Sequence, residues 1–585
     1  MLHLLSRRTL RLHPLFMFTL VIAACGDSGS TAGTSTTLTI LEPATVTRGD
    51  DVVDSIEVEG FDDDGNLIYG PRIAPFENEM SFEDVPEEVS HVQLDYLRNG
   101  GLALYRADMP VGADRMLNNP EETAVEAHTT SFSIVQDMGG AYNVQVTTTG
   151  PATSTVENAL GSSMSTTTTS NMRLKGVCYS PAPINFSNKN GPALGDLFWD
   201  TYTFTNAKTG EPDTEYNWYG LWGTGELTPG NYAREDLTKI RNLGANTIRV
   251  YSMISRQLET NGDIPTPMTG HKFTHKQFLD KAWNNGTNPL YVLIDIPMPG
   301  AAFKSDVAPT SGQLAFWDSV IVETAKELAN HPAVLGFNIM NEQDQMNDSY
   351  PNQGAGPDDS NTDFFYAQSV AYAGDIKTNA PDKLVGWALH DVPDFVKFAS
   401  QFPTTGQTYM EQLSDFDYWG INTYQTSSFT SIFGDNDGSY SQLTGTMKKP
   451  VLFTEFGMPA TGHNAMGGIM ESAATRTATA AFVTTMYPMA FDEDLLLGSY
   501  YFEYQDEWWK QPPNIAYEWN PGAEASNFPN GYWDEEGFGL YSTATDGRVD
   551  NSNPWGGSGP VLPMDTLTER TEITTALSAA FAGVD

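Results

Sequence analysis

Two carboxylates stand where catalysis could use them. Glu342 follows the apolar run Phe337-Asn338-Ile339-Met340-Asn341, and Glu455 follows Val451-Leu452-Phe453-Thr454 and precedes Phe456-Gly457. Each run is short and apolar, so each acid sits where a buried strand leaves the core. Two such carboxyls sharing one cleft can divide the labour. One is kept neutral to give a proton, while the other is kept ionised to act as base or nucleophile. A single glutamate at a strand end is equally well a solvated one, so the pair gains meaning only from a fold that unites them. His390-Asp391 also follows an apolar run and reads as a loop contact, and Cys178 as an inert core thiol.

The elements able to unite them are strand-like runs alternating with amphipathic stretches from about residue 172 to the C-terminus. Strands are expected at Leu174–Tyr179, Thr247–Tyr251, Leu290–Ile296, Val334–Met340, Leu384–Leu389, Tyr418–Thr423, Val451–Thr454 and Leu496–Phe502. Leu314, Trp317, Ile321, Thr324 and Leu328 recur at three- and four-residue spacing, which predicts a helix, and a last helix is expected over Leu567 to Phe581. Eight such units predict a (β/α)8 TIM barrel over 172–585, with an insertion in the first unit. No Gly-rich phosphate loop follows any strand, which argues against a doubly wound sheet. In a TIM barrel the catalytic groups gather at the C-terminal ends of the strands, where Glu342 and Glu455 fall on strands four and seven.

Residues 37–150 have a different texture. Ile56 and Val58, then Val92, Leu94 and Tyr96, then Tyr142, Val144 and Val146 alternate with polar neighbours, and turns rich in Gly and Asn separate them. That pattern predicts an antiparallel, Ig-like β-sandwich. The Asp62 to Asn66 stretch lacks the glycine position and closing glutamate of an EF-hand and reads as a hairpin turn. Residues 26–36 read as a tether and 151–171 as a linker to the barrel.

Arg7, Arg8 and Arg11 precede an apolar stretch, Leu15 to Ala24, that is too short to span a bilayer. Residues 1–25 therefore read as an export signal. Its end, Ile22-Ala23-Ala24-Cys25-Gly26, resembles the lipobox of bacterial lipoproteins. The resemblance implies acylation of Cys25 and attachment to the cell envelope, outer membrane or cell surface, by that lipid alone. Ser6 to Leu10 also loosely resembles a twin-arginine signal. The net charge is -43, from 31 basic and 74 acidic residues. So acidic a surface repels phosphate backbones, which excludes nucleic acid as a partner and favours solubility.

Several strand ends together resemble the clan-A retaining glycoside hydrolases. In that clan an Asn-Glu on strand four supplies the acid/base and a glutamate on strand seven the nucleophile, here Asn341-Glu342 and Glu455 in Thr-Glu-Phe-Gly. Gly244-Ala245-Asn246-Thr247-Ile248-Arg249 resembles the strand-two segment whose arginine supports the nucleophile. Asn422-Thr423-Tyr424 is similar to the Asn-x-Tyr of families 2 and 72, where family 5 has His-x-Tyr. Gly176-Val177-Cys178-Tyr179 resembles the strand-one opening of families 17 and 72, which act on β-1,3-glucan. The strand-eight end runs on to Trp508-Trp509, where the clan places a tryptophan beneath the reacting sugar.

The resemblance implies a retaining β-glycosidase or transglycosidase that needs no metal or organic cofactor. Glu342 would be the acid/base and Glu455 the nucleophile, with Arg249 and Tyr424 supporting it. Asn341 would hold the sugar 2-hydroxyl, Tyr179 would line the substrate site, and Trp508 or Trp509 would stack on a pyranose ring. Asp506 and Glu507 read equally as sugar contacts or rim charges. The expected partner is a β-linked polysaccharide or oligosaccharide, a β-glucan of β-1,3 linkage first, with mannan or galactan as alternatives. A carbohydrate-binding surface lipoprotein without turnover, or a scaffold whose sandwich binds another protein, would share much of this sequence.

Overall fold

The computed structural model describes, with short breaks, residues 35–180, 202–205, 212–216, 235–254, 273–296, 311–342, 360–395, 414–507, 523–543 and 567–584. Cys25, Trp508, Trp509 and most of the tether lie outside the described residues.

Eight parallel strands close into a barrel: β1 (Leu174–Tyr179), β2 (Thr247–Tyr251), β3 (Tyr291–Ile296), β4 (Val334–Asn341), β5 (Leu384–His390), β6 (Trp419–Asn422), β7 (Val451–Phe456) and β8 (Leu496–Tyr501). β8 returns to β1 with Leu174 opposite Gly498, which completes the ring. All eight coincide with the expected runs to within two residues at either end. The described helices of seven residues or more are α1 (Asp236–Asn242), α2 (Phe273–Trp283), α3 (Ser311–Leu328), α4 (Ser360–Asn379), α5 (Ala473–Phe491) and α6 (Thr571–Ala582). The stripe that predicted α3 is the one it buries, through Trp317, Ile321, Thr324 and Leu328. Gly244, at φ 88°, ends α1 in the left-handed region that glycine tolerates and turns the chain into β2. The expected C-terminal helix starts late, because Leu567–Glu569 pairs as a strand with Tyr541–Thr543.

The N-terminal part contains the expected sandwich, in a shorter form. A five-stranded antiparallel sheet holds Ser55–Phe61, Leu67–Pro75, His91–Arg98, Leu102–Pro110 and Thr123–Ala124. A mixed three-stranded sheet holds Ser35–Leu41 between Glu79–Pro86, antiparallel to it, and Met116–Asn118, parallel to it. Leu38, Ile40, Ile56, Val58, Phe82, Val92 and Leu94 form their common core.

The boundary expected at 150 needs correcting. Thr129–Gln136, Tyr142–Pro151 and Ser165–Met172 form a separate three-stranded sheet, so part of the expected linker is a strand. Phe132, Val144 and Val146 belong to the apolar core of the barrel, not to that of the sandwich. This sheet lies under the N-terminal ends of the barrel strands. The Phe132 amide donates to Asp382 O (2.9 Å) ahead of β5, and the Tyr142 amide to Asp494 O (2.9 Å) ahead of β8. Period-two alternation found the strand of Tyr142, Val144 and Val146 but carries no information about which core it joins.

Candidate active site

The C-terminal ends of β2, β3, β4, β6 and β7 converge on Arg249. Its guanidinium is fully buried. Nη1 donates to Glu455 Oε1 (3.0 Å), Thr454 O (2.8 Å) and Asn422 Oδ1 (3.1 Å). Nη2 donates to Asn341 Oδ1 (2.7 Å), and Nε to Asp295 Oδ2 (2.8 Å), which Nη2 also contacts. Burial alone would lower the pKa of Arg249, but Asp295, Tyr251 and Glu455 outweigh it and hold the group well above its ordinary value. It is a fixed cation.

Both oxygens of Glu455 are held. Oε1 accepts from Arg249 and from the Tyr251 hydroxyl (2.7 Å), and Oε2 accepts from the Tyr424 hydroxyl (2.6 Å). Burial, with the neighbouring carboxylates, pushes both phenols well above their ordinary range, so they keep their protons and donate. Three donors converging on one carboxylate fix the direction in which it points. Its backbone is tied down as well, since Glu455 O accepts from the Thr423 amide (2.9 Å).

Asn422 joins the two acids. Its Nδ2 donates to Glu342 Oε1 (2.9 Å) and Asn341 Oδ1 (2.8 Å), while its Oδ1 accepts from Arg249 and from the Thr454 hydroxyl (2.7 Å). Asn341 Oδ1 is thus turned inward, and its Nδ2 has no partner among the described residues. Two irregularities make this possible. The β4–β5 register shifts between Ile339 and Asn341, with Met340 at φ 65° and Glu342 at φ 54°. The β6–β7 register shifts between Ile421 and Asn422. Bulges of this kind re-aim side chains beside active sites. Here they let consecutive residues, Asn341 with Glu342 and Thr454 with Glu455, serve one mouth. Asp391 Oδ1 accepts from Gln425 Nε2 (2.9 Å) and the Tyr424 amide (3.2 Å), the loop contact expected of it.

No protein-family model matches this sequence, and no curated protein matches it. Solved structures do. A GH2 beta-galacturonidase from Eisenbergiella tayi, bound to galacturonate, is 12% identical over 94% of this chain and 73% of its own, with a TM-score of 0.40. Gas2p of Saccharomyces cerevisiae is 15% identical over 78% of this chain and 65% of its own, at 0.38. GH5_18 from Streptomyces cattleya, in complex with GlcNAc, is 16% identical over 60% of this chain and 75% of its own, at 0.35. These are likenesses of general fold, and the site stands on its own geometry.

Of the residues expected at the site, Asn341, Glu342, Arg249, Tyr424 and Glu455 come together. Tyr179 does not join them. It is fully buried, its hydroxyl donates to Asp236 Oδ2 of α1 (2.9 Å), and its ring stacks on Phe278 of α2 at 6.1 Å. Alternation explains the correction. Cys178 points into the barrel, with Sγ on Thr454 O at 3.4 Å, so Tyr179 must point out to the helices.

Three participants were not singled out from sequence. Tyr251 lies two residues beyond Arg249 on one strand, so the same alternation would have found it. Asp295 is the acid next to the end of β3, after Tyr291-Val292-Leu293-Ile294, a signal no weaker than that of Glu455. Trp533 sits edge-on to Tyr424 at 4.5 Å and is half-buried, and nothing in its surrounding sequence marks it. Among the described residues no cluster of His, Cys, Asp and Glu is arranged to hold a metal ion.

Proposed function

We propose that this chain is a retaining β-glycosidase or transglycosidase acting on a β-linked polysaccharide or oligosaccharide. The observation that carries the reading is the grip of Arg249, Tyr251 and Tyr424 on Glu455, with Asn422 tying the same network to Glu342. In the first step a Glu455 carboxylate oxygen attacks the anomeric carbon. The bond to the departing oxygen breaks, its electron pair stays on that oxygen, and Glu342 gives it a proton. The result is a glycosyl ester on Glu455. In the second step water or a sugar hydroxyl attacks the same carbon, loses its proton to Glu342, and releases Glu455 as carboxylate. Asn341 Nδ2 donates to the sugar 2-hydroxyl, a contact that strengthens as positive charge develops.

A β-1,3-glucan is the favoured substrate on the strand-one resemblance, and Trp508 or Trp509 supplies an aromatic floor. Export and acylation of Cys25 would keep the enzyme on the cell envelope beside extracellular polysaccharide. The test uses the full-length Cys25→Ser variant, which cannot be acylated, on a panel of β-glucans, mannans and galactans. Size separation and NMR of the fresh products should give shorter or rearranged oligosaccharides with the anomeric configuration retained. Glu455→Ala and Glu342→Gln should each cost at least about a thousandfold in kcat with the fold intact. Inverted products, or near-normal turnover in either variant, would remove the proposed mechanism.

A further inference from the structure

One buried cation at this site serves two buried carboxylates. Arg249 gives Nη1 to Glu455 and gives Nε and Nη2 to Asp295, and the two acid side chains are only 7% and 4% exposed. Asp295 does not touch Glu455 in any described contact, and it stands near the end of β3, a strand with no other charged residue. Burial raises its carboxyl above the ordinary range, against the pull of Arg249. Keeping a second anion here is costly unless it has work to do, because nearby carboxylates disfavour each other's charge.

The charge balance over the reaction supplies that work, and it rests on the glycosidase reading above. Before attack, Glu455, Asp295 and Arg249 together carry one net negative charge. When the glycosyl ester forms, Glu455 loses its charge to the new carbon–oxygen bond. Arg249 would then be a buried cation with no counter-charge if Glu455 were its only partner. With Asp295 present the remaining pair is neutral. The surplus negative charge is also there when the anomeric carbon is most positive, which is when a fixed charge aids the reaction most.

We propose that Asp295 is a positioning residue whose charge keeps Arg249 balanced through the covalent intermediate and makes the site net negative in the transition state. It touches neither reacting atom and acts through Arg249.

The experiment uses full-length protein and the 2,4-dinitrophenyl β-glycoside of whichever sugar the polysaccharide panel identifies. Asp295→Asn keeps the shape and removes the charge. Its kcat/KM should fall by about a hundred- to a thousandfold, with the affinity for the uncharged product sugar within about threefold of wild type. Asp295→Ala opens room for a small molecule. Formate should restore at least about tenfold of the lost rate, and neutral formamide of the same shape should not. That contrast separates charge from mere support of the fold, and it remains available if Asp295→Asn folds poorly. Equal rescue by both molecules, or Asp295→Asn within about threefold of wild type, overturns the proposal while leaving the glycosidase reading in place. A wild-type protein that cleaves no glycoside overturns both.

Discussion

Glu455 differs from an ordinary strand-end acid in how many donors converge on it, and the share of each can be measured. Tyr251→Phe leaves Oε1 to Arg249 alone, so kcat/KM should fall by about ten- to a hundredfold while the fold is kept. Tyr424→Phe strips Oε2 of its described donor and should cost at least as much. The two changes act on one carboxylate, so their combined effect should depart from the product of the single effects. Steady-state kinetics on the four proteins checks this, and simple multiplicativity would mean the phenols act independently. What the sequence revealed at this scale follows from strand ends. Glu342, Glu455 and Tyr424 stand at the ends of runs whose burial is plain from composition, and Arg249 is the one charged residue inside such a run. The bridging of Asn422 was hidden, because it depends on bulges that bring β4, β6 and β7 into one hydrogen-bonded group. Tyr179 was misassigned because a resemblance in the order of residues says nothing about which way alternate side chains face.

At the level of elements, the sheet of Thr129–Gln136, Tyr142–Pro151 and Ser165–Met172 is tied to the barrel by a buried lysine. Lys383 Nζ donates to Thr130 O (3.1 Å), Thr130 Oγ1 (3.1 Å) and His331 O (3.3 Å) and lies 5.1 Å from the Phe132 ring centre. Burial lowers its pKa from 10.5 to about 7. Between those values the unfolded chain binds a proton that the folded chain does not, so the stability contributed by this residue rises with pH across the window. The destabilisation is fully present below about 7 and gone above about 10.5. Denaturation of wild type and Lys383→Met at a series of pH values isolates the effect. The stability difference should move in favour of wild type from pH 7 to 10, and a flat difference would contradict it. Neither this lysine nor the role of the sheet was legible beforehand. The barrel strands were, because eight apolar runs spaced by helical periods admit few arrangements. A sheet beneath the barrel looks, in sequence, like one more layer of the neighbouring sandwich.

For the whole molecule the division is between two cores, one built from residues 38 to 94 and one from Phe132 onward. A chain beginning at Thr129 should therefore unfold, in the step assigned to the barrel, within a few degrees of full-length protein. One beginning at Leu174 uncovers the ground beneath Phe132, Val144 and Val146. Each buried apolar side chain is worth about 1.5–3 kcal/mol, so that chain should lose about 5 kcal/mol or more. Calorimetry of the three proteins decides, and equal transitions for the two shortened chains would assign the sheet to the sandwich after all. The left-handed backbone at Met340 and Glu342 bears on how far this protein can be made more heat-resistant. Elsewhere, exchanging a left-handed residue for glycine is an easy gain for an engineer. At 340 the exchange would empty a filled interior, and at 342 it would delete the proposed proton donor. Evolution toward hotter habitats must leave that short stretch tense and find its gains in other parts of the chain.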